Sequence, residues 1–222
     1  MKGNPDYWRQ LDIFKPDDKT KILIVGAGSV GSYVALTLAK MGISDLTVVD
    51  FDKVEPHNLP NQFYKTTDIG RPKVEALKDI IKEFTNTEIT AINDKIENYL
   101  TKDKIFDIVI LAVDNMKTRK QIFEKYAKHN IYVKYLIDIR TSAENFRIYT
   151  IQPVEPEDVK FYESEMYSDD EASELPCTAQ NIIYTVVGVA AITSATVKKI
   201  LSNQKINRFY LYDYITEILM NR

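Results

Sequence analysis

The chain has one cysteine, Cys177, and two histidines, His57 and His129, among its 222 residues. A lone thiol excludes an internal disulfide and any Cys-x-x-Cys zinc pair, so no structural zinc is expected and a reducing cytoplasm is the expected location. Neither sign of charge dominates: 29 basic against 32 acidic residues leave a net charge of −3. That balance gives no broad electrostatic reason to bind nucleic acid or a membrane surface, and neither is expected as a partner. The first ten residues, MKGNPDYWRQ, lack the apolar core of a signal peptide. Long uncharged runs are also scarce. The twenty residues Thr178 to Val197 are long enough to span a bilayer, but they include Gln180, Asn181, four Thr and Ser194. A buried core helix is the expected reading.

What is present is the composition of an ordinary soluble protein, 45% apolar and 27% charged. The length suits one α/β domain, which buries roughly 70% of its unfolded surface. The first half alternates strand and helix. KILIVGAG is a β-rich run ending in glycines, as a strand buried on both faces reads. Ser29 to Met41 has helical spacing with Gly42 as its stop, and LTVVD (46–50) reads as a second strand. Pro72 to Phe84 reads as a helix, and 87–93 and 106–114 as strands three and four. Met116 to Lys128 reads as a helix and 131–138 as the fifth strand. This order predicts a Rossmann-like α/β fold, a mainly parallel sheet with helices on both faces.

The later part differs. NFRIYTIQP (145–153) predicts an added antiparallel strand, and 209–215 a last one. Between them lie nine acidic residues and one lysine from Glu155 to Glu174, then a helix over about 179–201. The acidic stretch predicts an exposed, mobile crossover loop. The whole is expected to be one domain, 1–222, with an N-terminal arm over 1–20 and the crossover loop over 153–176.

Gly26-Ala27-Gly28-Ser29-Val30-Gly31 joins the first strand to the first helix. Glycines there permit a tight turn and close approach to phosphates at a helix N-terminus. Asp50 ends the second strand, nineteen residues beyond Gly31, where a carboxylate can accept from a ribose. These features imply a nucleotide but do not separate NAD from ATP. The long segment DFDKVEPHNLPNQFYKTTDIGRPKVEAL does separate them, because a dehydrogenase normally has a short connection there. Lys73 falls in the first turn of its helix, where the dipole disfavours a cation, so an anion such as triphosphate explains it better than a solvated lysine. Asn58 and Gln62 either orient phosphates or cap a short 3₁₀ segment. Asp114 at the end of the fourth strand suits magnesium, or a helix N-cap, or both. Asp138 and Arg140 close the fifth strand on the same side, as an ion pair or as a contact to a substrate tail. His57 reads as an exposed turn residue.

GAGSVG, DFDKVEPHNL, DIGRPKVEAL and VDN, taken in order, resemble the ThiF/MoeB/HesA family, relatives of ubiquitin-activating enzymes, over Tyr7 to about Leu201. The resemblance implies ATP- and magnesium-dependent adenylation of a carboxylate at the C-terminus of a ubiquitin-like protein or peptide. It assigns Asp50 to the ribose, Asn58 and Lys73 to phosphates, and Asp114 to magnesium; Asp52 supports the metal or the local turn. Tyr7-Trp8-Arg9-Gln10 matches an N-terminal motif whose arginine reaches the partner's triphosphate in a homodimer. Cys177 aligns with a cysteine that accepts the acyl group in some members. The sequence departs from the family at Asn58-Leu59-Pro60-Asn61-Gln62, where Asn61 replaces an arginine, and in lacking paired Cys-x-x-Cys motifs. An impaired nucleotide- and partner-binding module, or an NAD-dependent oxidoreductase, are the competing readings.

Overall fold

Four short apolar strands build the parallel half of the sheet. In the computed structural model, which describes residues 5–167 and 181–222, these are β1 (Ile22–Val25), β2 (Leu46–Val49), β3 (Thr90–Ile92) and β4 (Ile108–Leu111). Every residue of β1, β2 and β4 is buried because helices cover both faces. Alternate residues serve opposite cores. Ile22 and Ile24 face α1 (Ser29–Lys40), α2 (Lys73–Thr85) and α6 (Ile183–Leu201), whereas Leu23 and Val25 face α4 (Met116–Ile122) and α5 (Pro156–Ser164). A one-turn helix, α3 (Ile96–Tyr99), precedes β4.

The sheet has eight strands in the order β3-β2-β1-β4-β5-β6-β7-β8. β5 (Tyr135–Ser142) is parallel to β4, with Leu111 opposite Asp138. It then turns through Ala143 and Glu144 into antiparallel β6 (Asn145–Ile151), with Ser142 opposite Asn145. Antiparallel β7 (Phe209–Asp213) and β8 (Ile218–Asn221) complete the sheet. The expected fold class is therefore the observed one: a mainly parallel Rossmann-like sheet, helices on both faces, and antiparallel strands added at the C-terminal side.

Several boundaries differ from expectation. The fifth strand starts at Tyr135 rather than 131, because Asn130–Val133 forms a turn and Ile131 is 76% exposed. It runs on to Ser142 because β6 supplies an antiparallel partner that far. The predicted helix 116–128 is α-helical to Ile122 and continues as a π-helical turn, Phe123–Ala127. The acidic stretch is not simply an exposed loop. Pro156–Ser164 is a helix whose Val159 and Tyr162 are buried against the sheet. The C-terminal part of the expected crossover loop, with Cys177, lies outside the described residues. Helix α6, whose only charges are Lys198 and Lys199 in its last turn, is long and apolar enough to cross a membrane by length and composition. It buries Val186, Val189 and Val197 and joins α1 through Thr37 Oγ1 and Ser194 Oγ, 2.7 Å apart.

Candidate nucleotide site

The site lies at the carboxyl ends of β1, β2 and β4. Gly26 has φ of +99°, and a Cβ there would stand 2.5 Å from the Ala112 carbonyl oxygen. A Cβ on Gly31 would stand 1.9 Å from the Gly26 carbonyl oxygen, so α1 can pack against the loop only without a side chain. Gly28 caps α1 and leaves open space beside its own backbone. The first N–H groups of α1 thus face the crevice at a positive helix end.

Asp50 braces this loop. Its Oδ2 accepts from Ala27 N at 2.6 Å, and its Oδ1 accepts from Asp52 N at 2.8 Å. Tyr64, which sequence reasoning missed, adds a second brace. Its buried hydroxyl donates to Ala27 O at 2.5 Å. Burial pushes the Tyr64 pKa far up, and the nearby Asp50, Asp68 and Asp52 charges push it further, so the phenol stays a donor. No local pattern announces this contact, because it spans 37 residues.

Lys73 is not a solvated surface lysine. It is buried in the first turn of α2, and its Nζ lies 2.9 Å from Asp52 Oδ2. The Asp52 carbonyl also accepts from Lys73 N, so the loop and helix are tied twice. Asn58 does cap a short turn, since its Oδ1 accepts from Glu55 N at 2.8 Å in the 3₁₀ segment Pro56–Asn58. Gln62 Oε1 is buried without a hydrogen-bond partner among the described residues. His57 is an exposed turn residue, 3.2 Å from Glu55.

β4 ends at Leu111, so Asp114 lies in the turn beyond the strand rather than at its last residue. It is exposed at the crevice, where its Oδ1 accepts from Asn115 Nδ2 at 3.1 Å. Asn115, not Asp114, caps α4, its Oδ1 accepting from Thr118 N. Beneath this turn, fully buried Asp138 meets Arg119, Arg140 and the Tyr162 hydroxyl. Arg119 also donates to the Val113 carbonyl, next to Asp114. Burial opposes ionisation of Asp138, but Arg119 and Arg140 outweigh it and hold its pKa below the ordinary carboxylate value. The expected Asp138–Arg140 pair is therefore structural, with Arg119 as an unforeseen third member.

Arg9 stands apart from this group. Its 3₁₀ turn, Trp8–Gln10, is fixed by Gln10 Nε2 donating to Met41 O at 2.7 Å, at the C-terminal end of α1. The glycine-rich loop is at the other end of that helix, roughly 18 Å away at 1.5 Å per residue. Arg9 therefore does not join the crevice of its own chain.

Such a loop at the strands' carboxyl ends defines a doubly wound α/β fold with a nucleotide crevice. The chain belongs to the ThiF family, whose model matches residues 9–222. The sulfur carrier protein ThiS adenylyltransferase of Escherichia coli (strain K12) is 28% identical over 180 residues, 79% of this chain and 69% of that protein. The NEDD8-activating enzyme E1 catalytic subunit of Arabidopsis thaliana is 37% identical over 112 residues, 47% of this chain. That match spans only 24% of the NEDD8-activating subunit. Among solved structures, E. coli MccB with ATP has a TM-score of 0.71 at 19% identity, covering 92% of this chain and 64% of MccB. PaaA gives 0.74 at 21% identity, covering 92% and 72%. At these identities the two structures speak for the fold alone.

Proposed function

We propose that this chain uses ATP to adenylate a carboxylate, that of the C-terminus of a ubiquitin-like small protein or peptide. The observation that carries this reading is the buried Lys73 ammonium, held beside a glycine-rich loop that Asp50 braces. Family membership supports it: the relatives include a named ThiS adenylyltransferase and a NEDD8-activating subunit, and MccB is known with AMPCPP and MccA.

In the reaction, one carboxylate oxygen attacks the α-phosphorus. The bond from that phosphorus to the bridging oxygen breaks, and pyrophosphate leaves with the electron pair. The nucleophile is already ionised at neutral pH, so no general base is needed and the scarcity of histidine is no obstacle. Positioning and charge neutralisation supply the rate. The α1 N-terminus and Lys73 bind phosphate, Asp50 and Tyr64 hold the loop in shape, and the partner's Arg9 reaches across a homodimer to the triphosphate. Among the described residues no cluster of three acidic, histidine or cysteine groups would hold a cation alone. A single exposed carboxylate, completed by water and substrate phosphates, nevertheless suits magnesium, and Asp114 would hold it. The ion, when bound, neutralises phosphate charge. Cys177 is the candidate acceptor for a subsequent thioester.

ATP–pyrophosphate exchange with a modifier ending in a free carboxylate tests the reading. Wild-type protein should exchange, and Asp114→Ala should lose orders of magnitude of rate while keeping its melting temperature. The same incubation on a non-reducing gel should show a thiol-sensitive adduct that Cys177→Ala lacks. One observation favours a second reading: the Asn61 amide is neutral and turned toward Asn181. ATP binding without any exchange would select a binding module instead.

A further inference from the structure

Asn61 stands where the family resemblance calls for a phosphate-binding arginine. Its Nδ2 donates to Asn181 Oδ1 at 2.9 Å and lies 3.0 Å from Asn181 O. Asn181, just ahead of α6, spends its own Nδ2 on Ser29 Oγ at 3.2 Å and Thr141 Oγ1 at 2.8 Å. An amide nitrogen carries two hydrogens and the amide oxygen accepts, so every polar group of the Asn181 side chain is committed and its orientation is fixed. Four segments meet in this network: the loop after β2, the start of α1, the end of β5 and the start of α6.

Ser29 is the first residue of α1, directly after Gly28. Because its Oγ accepts from Asn181, its own hydrogen must turn away from Asn181. It is half-buried at a helix end whose free N–H groups favour an anion. An oriented hydroxyl in that place is a donor for a phosphate oxygen.

We propose that Asn61 and Asn181 are positioning residues that aim the Ser29 hydroxyl at a phosphate oxygen of bound nucleotide. A neutral, oriented donor thereby stands in for the missing arginine. The inference rests on the nucleotide reading above and names a contact that the family pattern does not contain.

The test is calorimetric titration with ATP plus magnesium and, separately, with adenosine, which has no phosphate. A hydrogen bond to a charged group implies that Ser29→Ala weakens ATP binding roughly tenfold or more. Ser29→Thr, which keeps the hydroxyl, should retain most of the affinity. Asn61→Ala and Asn181→Ala should each weaken ATP binding severalfold, and neither should weaken it further once Ser29 is alanine. Adenosine affinity and melting temperature should stay near wild type throughout, which a merely structural network would not allow. Wild-type ATP affinity in Ser29→Ala, equal losses for ATP and adenosine, or fully additive double variants would each overturn the inference. Wild-type protein that takes up adenosine and ATP equally weakly would overturn the nucleotide reading itself.

Discussion

Asp138 is wholly buried, with Arg119, Arg140 and Tyr162 around its carboxylate. Removing one member of a buried charged set leaves the others uncompensated, at a cost of about 3–5 kcal/mol. Asp138→Asn should therefore lower the melting temperature by roughly 10 °C, as measured by thermal unfolding at neutral pH. The pH dependence has a definite sign. A carboxylate whose folded pKa is depressed stabilises the protein above its unfolded pKa, and that stability is lost as pH falls through the folded value. The ordinary value is 3.8 and the folded one lies lower. Wild-type stability should thus fall with acid below about pH 4, and the Asp138→Asn variant should fall less over the same range. Acid titration followed by circular dichroism reads both slopes. Lys73 is a second buried charge held by an ion pair, its ammonium 2.9 Å from the half-exposed Asp52 carboxylate.

The helix α5 illustrates why one element escaped the sequence reading. Nine acidic residues in twenty suggest a solvated loop, yet the start signals of a helix were there. Pro156 sits in the first turn, and Glu157 and Asp158 complement the positive end. Only two large apolar positions, Val159 and Tyr162, need burial, too few for periodicity to stand out. Their backbone should be protected: amide hydrogen exchange over residues 159–164 should be slowed by orders of magnitude relative to a free loop. Exchange at the unstructured rate would restore the loop reading. The fifth strand was misplaced for a related reason. Its start is set by a turn and its end by pairing with β6, and neither is a property of its own residues.

At the scale of the whole molecule, the distance between Arg9 and the glycine-rich loop matters most. The twelve-residue helix α1 lies between them, with Gln10 bonded to one end and Gly28 capping the other. If the partner's Arg9 completes each site, Arg9→Ala and Lys73→Ala subunits will each be inactive alone. An arginine supplied to a transferring phosphoryl group contributes about 10³–10⁵ in rate, so the loss should be plain. A mixed dimer has one site with both residues intact and should recover up to about half of wild-type activity per dimer, on the arithmetic of a two-fold interface. Exchange-competent mixtures that show no recovery in pyrophosphate exchange would overturn the assignment of Arg9 to the partner's site.

Local rules in the sequence determined the alternation of strands and helices, the glycine turn and the carboxylates following β2 and β4. Each depends on residues close in the chain: apolar runs make strands, and a glycine without Cβ permits a turn that other residues cannot make. Tertiary structure alone decided what those groups do to one another. Tyr64 braces Ala27 across 37 residues, Arg119 meets Asp138 across 19, and Asn61 reaches Asn181 across 120. Such contacts carry no periodicity, because they arise only when the sheet brings distant loops to one edge. Burial then sets their strength: Lys73 and Asp138 read as ordinary charges in the sequence, and the fold makes them anchors by removing water around them.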